Sequence, residues 1–462
     1  MLVDGGDSRL VLDPIAGVNR YGCGPSPDPD LAAFGSSTAS TISDAGFAAA
    51  DAVRERLLRA SATAPPALTY ARELQRLRGE LIELCGLADL GIDVLFAASG
   101  TDLHAIAGQL FAGDAVSALR VITVEPRETG SGVPAALALA GAGSEVVAVA
   151  ARGADGAARS ATVVAAEVEA LVAAGVDAGR RVLVVVTDVS KTGLLSPALD
   201  GVLDLQRRWG AAVDFLVDAC QFRLAPATLR AYLQHGFMLA VTGSKFLTGP
   251  AFSGALLVPP STARRLRTAK PRPQALGGSL RAEWPRGWAA AASLPDDANY
   301  GLLLRWQAAL AELRAFRTLP EGAVAAFAAD FGRAIQNRLS DDPHFEALAV
   351  PALDRRALLA APSWDRLPTI FPFILRRGRA DPGAHLDRAA SEQVYRRLRA
   401  FRCQVGQPVP CGERDGPPLA ALRLCLSARL IVEAVRDGRR SAVIERALAV
   451  LDKAAVVVHS LG

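Results

Sequence analysis

Between about residue 90 and residue 260, the chain alternates short, almost wholly apolar runs with longer helical segments. The run at 181–186 is apolar at every position after its arginine, so both of its faces must be covered by other parts of the protein. Strands of this kind, joined by helices, are typical of a parallel sheet with helices on both sides. We therefore predict a large, doubly wound, mainly parallel α/β domain. Its predicted strands are 94–97, 120–124, 145–150, 181–186, 212–217, 238–242 and 254–258.

The pattern changes after residue 260, where long helical segments come to outnumber the strands. Helices are predicted at 300–316, 385–401 and 440–456, and strands at 369–375 and 421–427. This order predicts a smaller α+β C-terminal domain. We place the domain boundaries at 1–67 for an N-terminal segment, 68–298 for the large domain and 299–462 for the small domain.

Composition excludes several classes of protein. The 51 Lys and Arg residues nearly balance 47 Asp and Glu, which gives no electrostatic reason to expect nucleic acid or an anionic membrane as a partner. The six cysteines form no C-x-x-C pair and no zinc-finger spacing, so no metal site is predicted. No apolar run approaches the ~20 residues that span a bilayer, and the first residues lack the pattern of a secretory signal. A cytoplasmic location is the expectation.

The glycine-rich turns do not match the common nucleotide-binding motifs. The nearest approach to G-x-G-x-x-G starts at Gly141, lacks the third glycine and lies between a predicted helix and the next strand. The fingerprint must instead follow a strand and open a helix. The chain also lacks the phosphate-loop motif and the G-x-S-x-G elbow. The chain therefore lacks the sequence motifs that are most specific to nicotinamide oxidoreductases, NTPases and α/β-hydrolases.

A possible phosphate site follows the strand at 94–97. There Ser99, Gly100 and Thr101 precede an amphipathic helix. The free N–H groups and the positive dipole end of a helix favour a phosphate, glycine permits its close approach, and the Thr101 hydroxyl adds a donor. An ordinary helix cap has the same residues, so this segment alone does not decide between the two.

Two further strand ends carry reactive or charged groups. Asp218 and Gln221 follow the strand at 212–217, and Lys245 follows the strand at 238–242 together with the hydroxyls of Thr242 and Ser244. A lysine among apolar strands is costly to bury unless it is neutralised or covalently engaged. Desolvation also makes its amine nucleophilic. Taken singly, each of these charges is equally well interpreted as a solvated group at a strand end.

Together the three segments fit pyridoxal phosphate, which needs a lysine for its aldehyde, a carboxylate against its pyridine nitrogen and a phosphate cradle. In this order they resemble the fold type I pyridoxal-phosphate enzymes, and more closely the class V aminotransferase and cysteine desulfurase branch. The resemblance implies pyridoxal 5′-phosphate as cofactor, a small-molecule amino-acid substrate and a homodimer. It also implies that the N-terminal segment covers the active site and packs on the small domain.

The resemblance also implies roles for individual residues. Lys245 and Asp218 are expected to be catalytic, and Arg423 is expected to bind the substrate carboxylate. The residues expected to contact the cofactor are Ser99, Gly100, Thr101, Ser190, Asp218, Gln221, Thr242, Ser244, Lys245 and, from the neighbouring subunit, Gly278.

Two features depart from the branch. Ser244 replaces the histidine that usually precedes the Schiff-base lysine, and the loop 125–132 has no histidine to stack on the cofactor ring. His104, on the helix of the phosphate site, is a candidate partner for the cofactor, and a solvated or structural histidine is an equally good interpretation.

The predicted reaction is transamination of an amino acid. A lyase, either cysteine desulfurase-like or β-eliminating, is the alternative, and a desulfurase would need a reactive thiol such as Cys403 or Cys411 ahead of Arg423. Two other classes stay open. One is a regulatory protein that binds pyridoxal phosphate without turnover; the other is a nicotinamide oxidoreductase, which would also use a doubly wound sheet but should show the missing third glycine.

Overall fold

The structure is a computed structural model of one chain, and it describes residues 1–113, 118–141, 143–269, 271, 276, 278–378, 384–414 and 418–461. The strands are β1 (Ala32–Phe34), β2 (Asp93–Ala97), β3 (Leu119–Val124), β4 (Glu145–Val149), β5 (Arg181–Asp188), β6 (Leu195–Ser196), β7 (Val213–Ala219), β8 (Met238–Thr242), β9 (Gly254–Val258), β10 (Phe345–Ala347), β11 (Ile370–Leu375), β12 (Cys403–Glu413) and β13 (Pro418–Cys425). The helices are α1 (Asp44–Ala60), α2 (Pro66–Leu84), α3 (Gly100–Ala112), α4 (Val133–Ala138), α5 (Ala161–Asp177), α6 (Leu199–Trp209), α7 (Pro226–Gln234), α8 (Pro260–Leu266), α9 (Tyr300–Arg317), α10 (Glu321–Asp341), α11 (Arg388–Ala400), α12 (Ala428–Val435) and α13 (Arg440–His459).

The larger sheet has the strand order β2-β9-β8-β7-β5-β3-β4, with β6 paired to β5. Five neighbouring strands run parallel, in the order β8, β7, β5, β3 and β4. The next strand, β9, is antiparallel to both of its neighbours, β2 and β8. Thr187 lies opposite Asp218, and Asp218 lies opposite Ala240. The carboxyl ends of β5, β7 and β8 therefore meet at one edge, where sheets of this kind bind their ligands.

The alternation of buried side chains explains why residues 182–186 of β5 are all apolar. Val182, Val184 and Val186 belong to the core on one face of the sheet, whereas Leu183 and Val185 belong to the core on the other. Since helices cover both faces, every position of the strand after Arg181 is buried. The predicted doubly wound, mainly parallel sheet is confirmed. Within the described residues, no helix combines the length and the apolar character needed to cross a bilayer.

The smaller sheet has the order β1-β12-β13-β11-β10. Its first strand comes from the N-terminal segment, since Ala32 pairs in parallel with Cys403 and Phe34 with Val405. The last predicted strand, 421–427, is observed at Pro418–Cys425 because the Ser427 hydroxyl accepts from the Leu430 N–H at 3.4 Å and caps α12. An α+β unit thus follows the large sheet, as predicted.

Candidate active site

The beginning of α3 forms one side of the candidate site. Ser99 and Asp102 cap this helix reciprocally: the Ser99 hydroxyl accepts from the Asp102 N–H at 3.3 Å, and the Asp102 carboxylate accepts from the Ser99 N–H at 2.9 Å. The Ser99 hydroxyl also donates to that carboxylate, at 2.8 Å. In the described part of the chain, the Thr101 hydroxyl makes no hydrogen bond. Its methyl group faces Gly132, where an added Cβ would lie 3.2 Å from Thr101 Cγ2.

Gly100 brings this helix into contact with the ends of β7 and β8. A Cβ at Gly100 would lie 2.8 Å from the Cys220 sulfur and 3.5 Å from Thr242 Cγ2. The Thr242 hydroxyl donates to the Cys220 carbonyl at 2.7 Å, and Ser244 donates to Thr242 at 3.4 Å. Three segments that are far apart in the sequence therefore meet around one glycine.

Asp218, at the carboxyl end of β7, faces His104 of α3. Its Oδ1 accepts from the Cys220 N–H at 3.2 Å, and its Oδ2 lies 3.5 Å from His104 Nε2. The other ring nitrogen, Nδ1, lies 2.7 Å from the Gly100 carbonyl. Both ring nitrogens face acceptors, and an acceptor needs a donor opposite it, so the arrangement favours a doubly protonated imidazolium.

Burial opposes charge on both members of this pair, but their mutual attraction outweighs it. Burial alone would raise the pKa of Asp218, yet His104 and Lys245 hold that pKa below its ordinary value. Burial alone would lower the pKa of His104, yet the Asp218 carboxylate and the Gly100 carbonyl raise it. The site thus holds a carboxylate that stays ionised in a buried place.

Lys245 follows β8 and is half-buried. Among the described residues its amine has no hydrogen-bond partner. Its charge acts on Asp218, His104 and Cys220, so it lies within electrostatic reach of all three. The structure therefore brings the predicted lysine and the predicted carboxylate to the same edge of the sheet.

Gln221 and Ser190 are buried near this edge, but their polar groups are already engaged. Gln221 donates to the Ser37 carbonyl at 3.1 Å, which ties the N-terminal segment to the site. The Ser190 hydroxyl donates to Glu128 at 2.6 Å and accepts from the Leu194 N–H at 2.9 Å. Direct contact of either side chain with a cofactor ring remains a prediction.

Arg423 of β13 lies under the N-terminal segment. Its guanidinium donates to the Ser37 hydroxyl at 3.2 Å, to the Thr38 hydroxyl at 2.8 Å and to the Gln407 carbonyl. No carboxylate of the described residues lies within 4.0 Å of it. Arg423 as a whole is 2% exposed, and burial lowers the pKa of its guanidinium. It is thus a buried cation whose hydrogen-bond partners are all neutral.

Sequence reasoning missed a buried carboxylate in the loop after β3. Glu128 pairs with Arg152 at 2.7 Å, and both side chains are at most 1% exposed. The Thr192 hydroxyl also donates to Glu128, at 2.7 Å. The sequence carried a signal for this residue, because Glu128 is an acid in a loop that follows an apolar strand.

The six cysteines are all buried. Burial raises the pKa of Cys403 and raises that of Cys411 to about 11, which keeps both as thiols at neutral pH. Neither has the exposed, ionised sulfur that a persulfide-forming cysteine needs.

Gly278 has φ +78°, a conformation that favours glycine, and a Cβ there would meet no atom within 4 Å. The preceding Gly277 lies outside the described residues. A contact of this loop with a second subunit remains a prediction.

Comparison with known proteins identifies the fold. No protein-family model matches the sequence, and no curated protein matches it. Solved structures do match over almost the whole chain. A cystine C-S lyase in complex with its product cysteine persulfide is 15% identical, with a TM-score of 0.57 over 90% of this chain and 98% of the other. The cysteine desulfurase CsdA from Escherichia coli is 12% identical, with a TM-score of 0.54 over 92% and 94%.

A third match is the Oryza sativa TDC with PLP, which is 17% identical with a TM-score of 0.53 over 90% of this chain and 83% of the other. The predicted fold type I architecture, with its large parallel sheet and smaller second domain, is confirmed by these likenesses. At such identities they establish the fold alone.

Proposed function

We propose that this chain is a pyridoxal-phosphate-dependent enzyme that acts at the Cα of an amino acid. The observation that carries the proposal is the meeting of the Lys245 amine, the Asp218–His104 pair and the start of α3 at one sheet edge. Solved structures of the same fold include one described with this cofactor bound, which supports the choice.

The groups at the site fit this cofactor. The N–H groups of the first turn of α3 and the hydroxyl of Thr101 would hold its phosphate, together with Thr242 and Ser244. Gly100 leaves no room for a side chain against Cys220, so the turn can approach a ligand only through its backbone. Asp218 would face the pyridine nitrogen, and Lys245 would hold the aldehyde. When bound, pyridoxal phosphate supplies an electron sink for the electrons left at the substrate Cα.

The chain's own residues would then do three things. Arg423 binds the α-carboxylate of the substrate and so orients the Cα bonds. The Lys245 amine would take the proton from the substrate Cα. His104 keeps Asp218 ionised, so that a negative charge would be available to a protonated pyridine nitrogen.

Elimination has gained support relative to transamination, the reaction first predicted from the sequence. Two of the structures of this fold are described as a cystine C-S lyase and a cysteine desulfurase. Because every cysteine is buried, a reaction that needs no enzyme thiol is favoured over desulfuration through an enzyme persulfide. Transamination is the second candidate. Elimination would release ammonia and a keto acid continuously, whereas transamination would stop after one turnover without an added keto acid.

The test of the cofactor assignment is reconstitution with pyridoxal phosphate followed by borohydride reduction and peptide mass spectrometry. We expect the label at Lys245 in the wild type and no label in Lys245→Ala. Lys453→Ala is the matched control, because Lys453 is also a partly exposed lysine, and it should retain the label. Attachment that survives Lys245→Ala would show the assignment to be wrong. A cofactor whose absorbance no amino acid changes would favour the non-catalytic binding protein.

A further inference from the structure

Lys191 is a second lysine at the edge where the proposed cofactor site lies. It follows β5 in the loop that includes Ser190 and Thr192, and its backbone N–H donates to the Glu128 carbonyl at 2.8 Å. Its amine donates to the Pro126 carbonyl at 3.0 Å. Within the described ranges no carboxylate lies within 4.0 Å of that amine. The side chain is half-buried and therefore only partly solvated.

The charges around Lys191 are mostly positive once existing pairs are taken into account. Burial, then Arg423 and Lys245, lower the pKa of Lys191 to about 8, while Glu128 and Asp218 act in the opposite direction. Both carboxylates already have cationic partners.

The pairing can be followed residue by residue. Glu128 lies 2.7 Å from Arg152, and Asp218 lies 3.5 Å from His104. A third carboxylate of this loop, Glu125, lies 2.5 Å from Arg127. No described acid at this edge is therefore left to neutralise Lys191.

Among the described residues at this edge, Arg423, Lys245, Lys191 and Arg223 have no carboxylate partner. The Arg223 guanidinium is already held by neutral oxygens, including the Leu426 carbonyl at 2.7 Å and the Ser36 hydroxyl at 3.0 Å. Under the proposed function, Arg423 takes the α-carboxylate, and Lys245 takes the cofactor aldehyde. Lys191 has neither, and a half-buried cation without an anion is unfavourable. A ligand that brought a second acid group would remove this penalty and gain a charge-assisted hydrogen bond.

We propose that Lys191 is a specificity residue that binds the side-chain acid of the substrate, which is an α-amino acid carrying a second carboxylate or sulfinate. This inference rests on the proposed function, because it assumes that Arg423 and Lys245 have the roles given above. It assigns an anion to the lysine after β5, which has no acid of its own among the described residues.

Binding of unreactive acids to the cofactor-loaded protein tests the inference without relying on turnover. Calorimetric titration compares succinate with propionate, and the same comparison is made for the absorbance change produced by aspartate and by asparagine. We expect the wild type to bind the diacid about 10- to 100-fold more tightly than the monoacid, as a charge-assisted hydrogen bond predicts.

Three variants complete the design. Lys191→Met should bring the ratio of the two affinities close to one, and Lys191→Arg should keep most of the preference because it retains the charge. Lys453→Met is the matched control, since its amine also donates to a backbone carbonyl, that of Phe401 at 3.4 Å. This control should leave the preference unchanged.

The outcomes separate this inference from the proposed function. Equal binding of diacid and monoacid by the wild type, or an unchanged preference in Lys191→Met, would overturn it while Lys245 still carried the cofactor. A Lys191→Met protein whose cofactor absorbance changes before any ligand is added, with its diacid preference intact, would assign Lys191 to the cofactor instead. Failure of Lys245 to bind the cofactor would overturn the proposed function itself.

Discussion

His104 and Asp218 form a buried charge pair whose contribution to stability depends on pH. The pKa of His104 is raised in the folded chain, so its contribution is complete below the ordinary histidine pKa of 6.5 and is lost as pH rises through the folded-state value. The pKa of Asp218 is lowered, so its contribution is present above 3.8 and is lost only as pH falls through the folded-state value. The pair therefore stabilises the fold most between those two limits.

We expect His104→Asn to lower the free energy of unfolding by about 3 kcal/mol near pH 6, because it leaves a buried carboxylate without its partner. The difference from the wild type should narrow as the pH is raised towards 9. Urea denaturation of the cofactor-free protein at several pH values measures it, and the exposed His459→Asn serves as control. A difference that stays constant with pH would mean that His104 is neutral in the folded protein.

Single residues show how far sequence reasoning reached into the site. The position of Lys245 and Asp218 at one edge of the sheet was predictable because each lies near the end of an apolar strand, and parallel strands end at the same edge. The pairing of His104 with Asp218 was not predictable, since it depends on how closely α3 approaches β7. The hydrogen bond from Ser190 to Glu128 was not predictable either, because no spacing in the sequence relates the two loops that carry these residues.

At the level of elements, the contact between α3 and the ends of β7 and β8 depends on the absence of one side chain. Gly100→Ala would place a methyl group 2.8 Å from the Cys220 sulfur, where a buried thiol has little freedom to move. Overpacking of this kind costs about 1–3 kcal/mol. We expect lower stability and weaker cofactor binding, measured by urea denaturation and by titration with pyridoxal phosphate.

The double variant Gly100→Ala/Cys220→Ala is the control for that mechanism. It removes the sulfur that the new methyl group would meet, so most of the lost stability should return, relative to Cys220→Ala alone. If the two substitutions were simply additive, the clash with Cys220 would not be the cause.

The elements that the sequence pattern did not predict share a physical cause. β12 contains two glycines and two prolines, and its pairing with β13 is irregular, so its apolar alternation is broken. β1 has three residues and acquires its strand geometry only from β12. Most strands of the large sheet were predictable because they are runs of apolar residues, nearly all of them buried. The two-residue β6 was not predicted, and β4 is buried only at Val149.

At the scale of the whole molecule, one apolar core joins both sheets. The same cluster includes Val184 of the large sheet and Phe373 and Leu424 of the small sheet. Asp188, at the end of β5, is also bound by Arg355, whose Nε donates to it at 2.9 Å. The domain boundaries predicted from the sequence therefore do not separate independent cores.

We expect the cofactor-free chain to unfold in a single cooperative transition. Unfolding of either predicted domain alone would expose to water the apolar residues of this core that remain on the other domain, which costs free energy. Differential scanning calorimetry should give equal calorimetric and van't Hoff enthalpies. Resolved transitions for the two domains would contradict the prediction. Arg355→Met should move the single transition to lower temperature, since breaking a buried ion pair costs about 3–5 kcal/mol.

The pairing of Ala32 with Cys403 has a consequence for biosynthesis. Translation delivers β1 early, but its partner strand leaves the ribosome only when most of the polypeptide has been made. The amino-terminal stretch, including the residues that cover Arg423, therefore has no strand partner while the large sheet assembles. Completion of the candidate site is thereby tied to the end of synthesis, so truncated translation products would lack it even where their parallel sheet had formed.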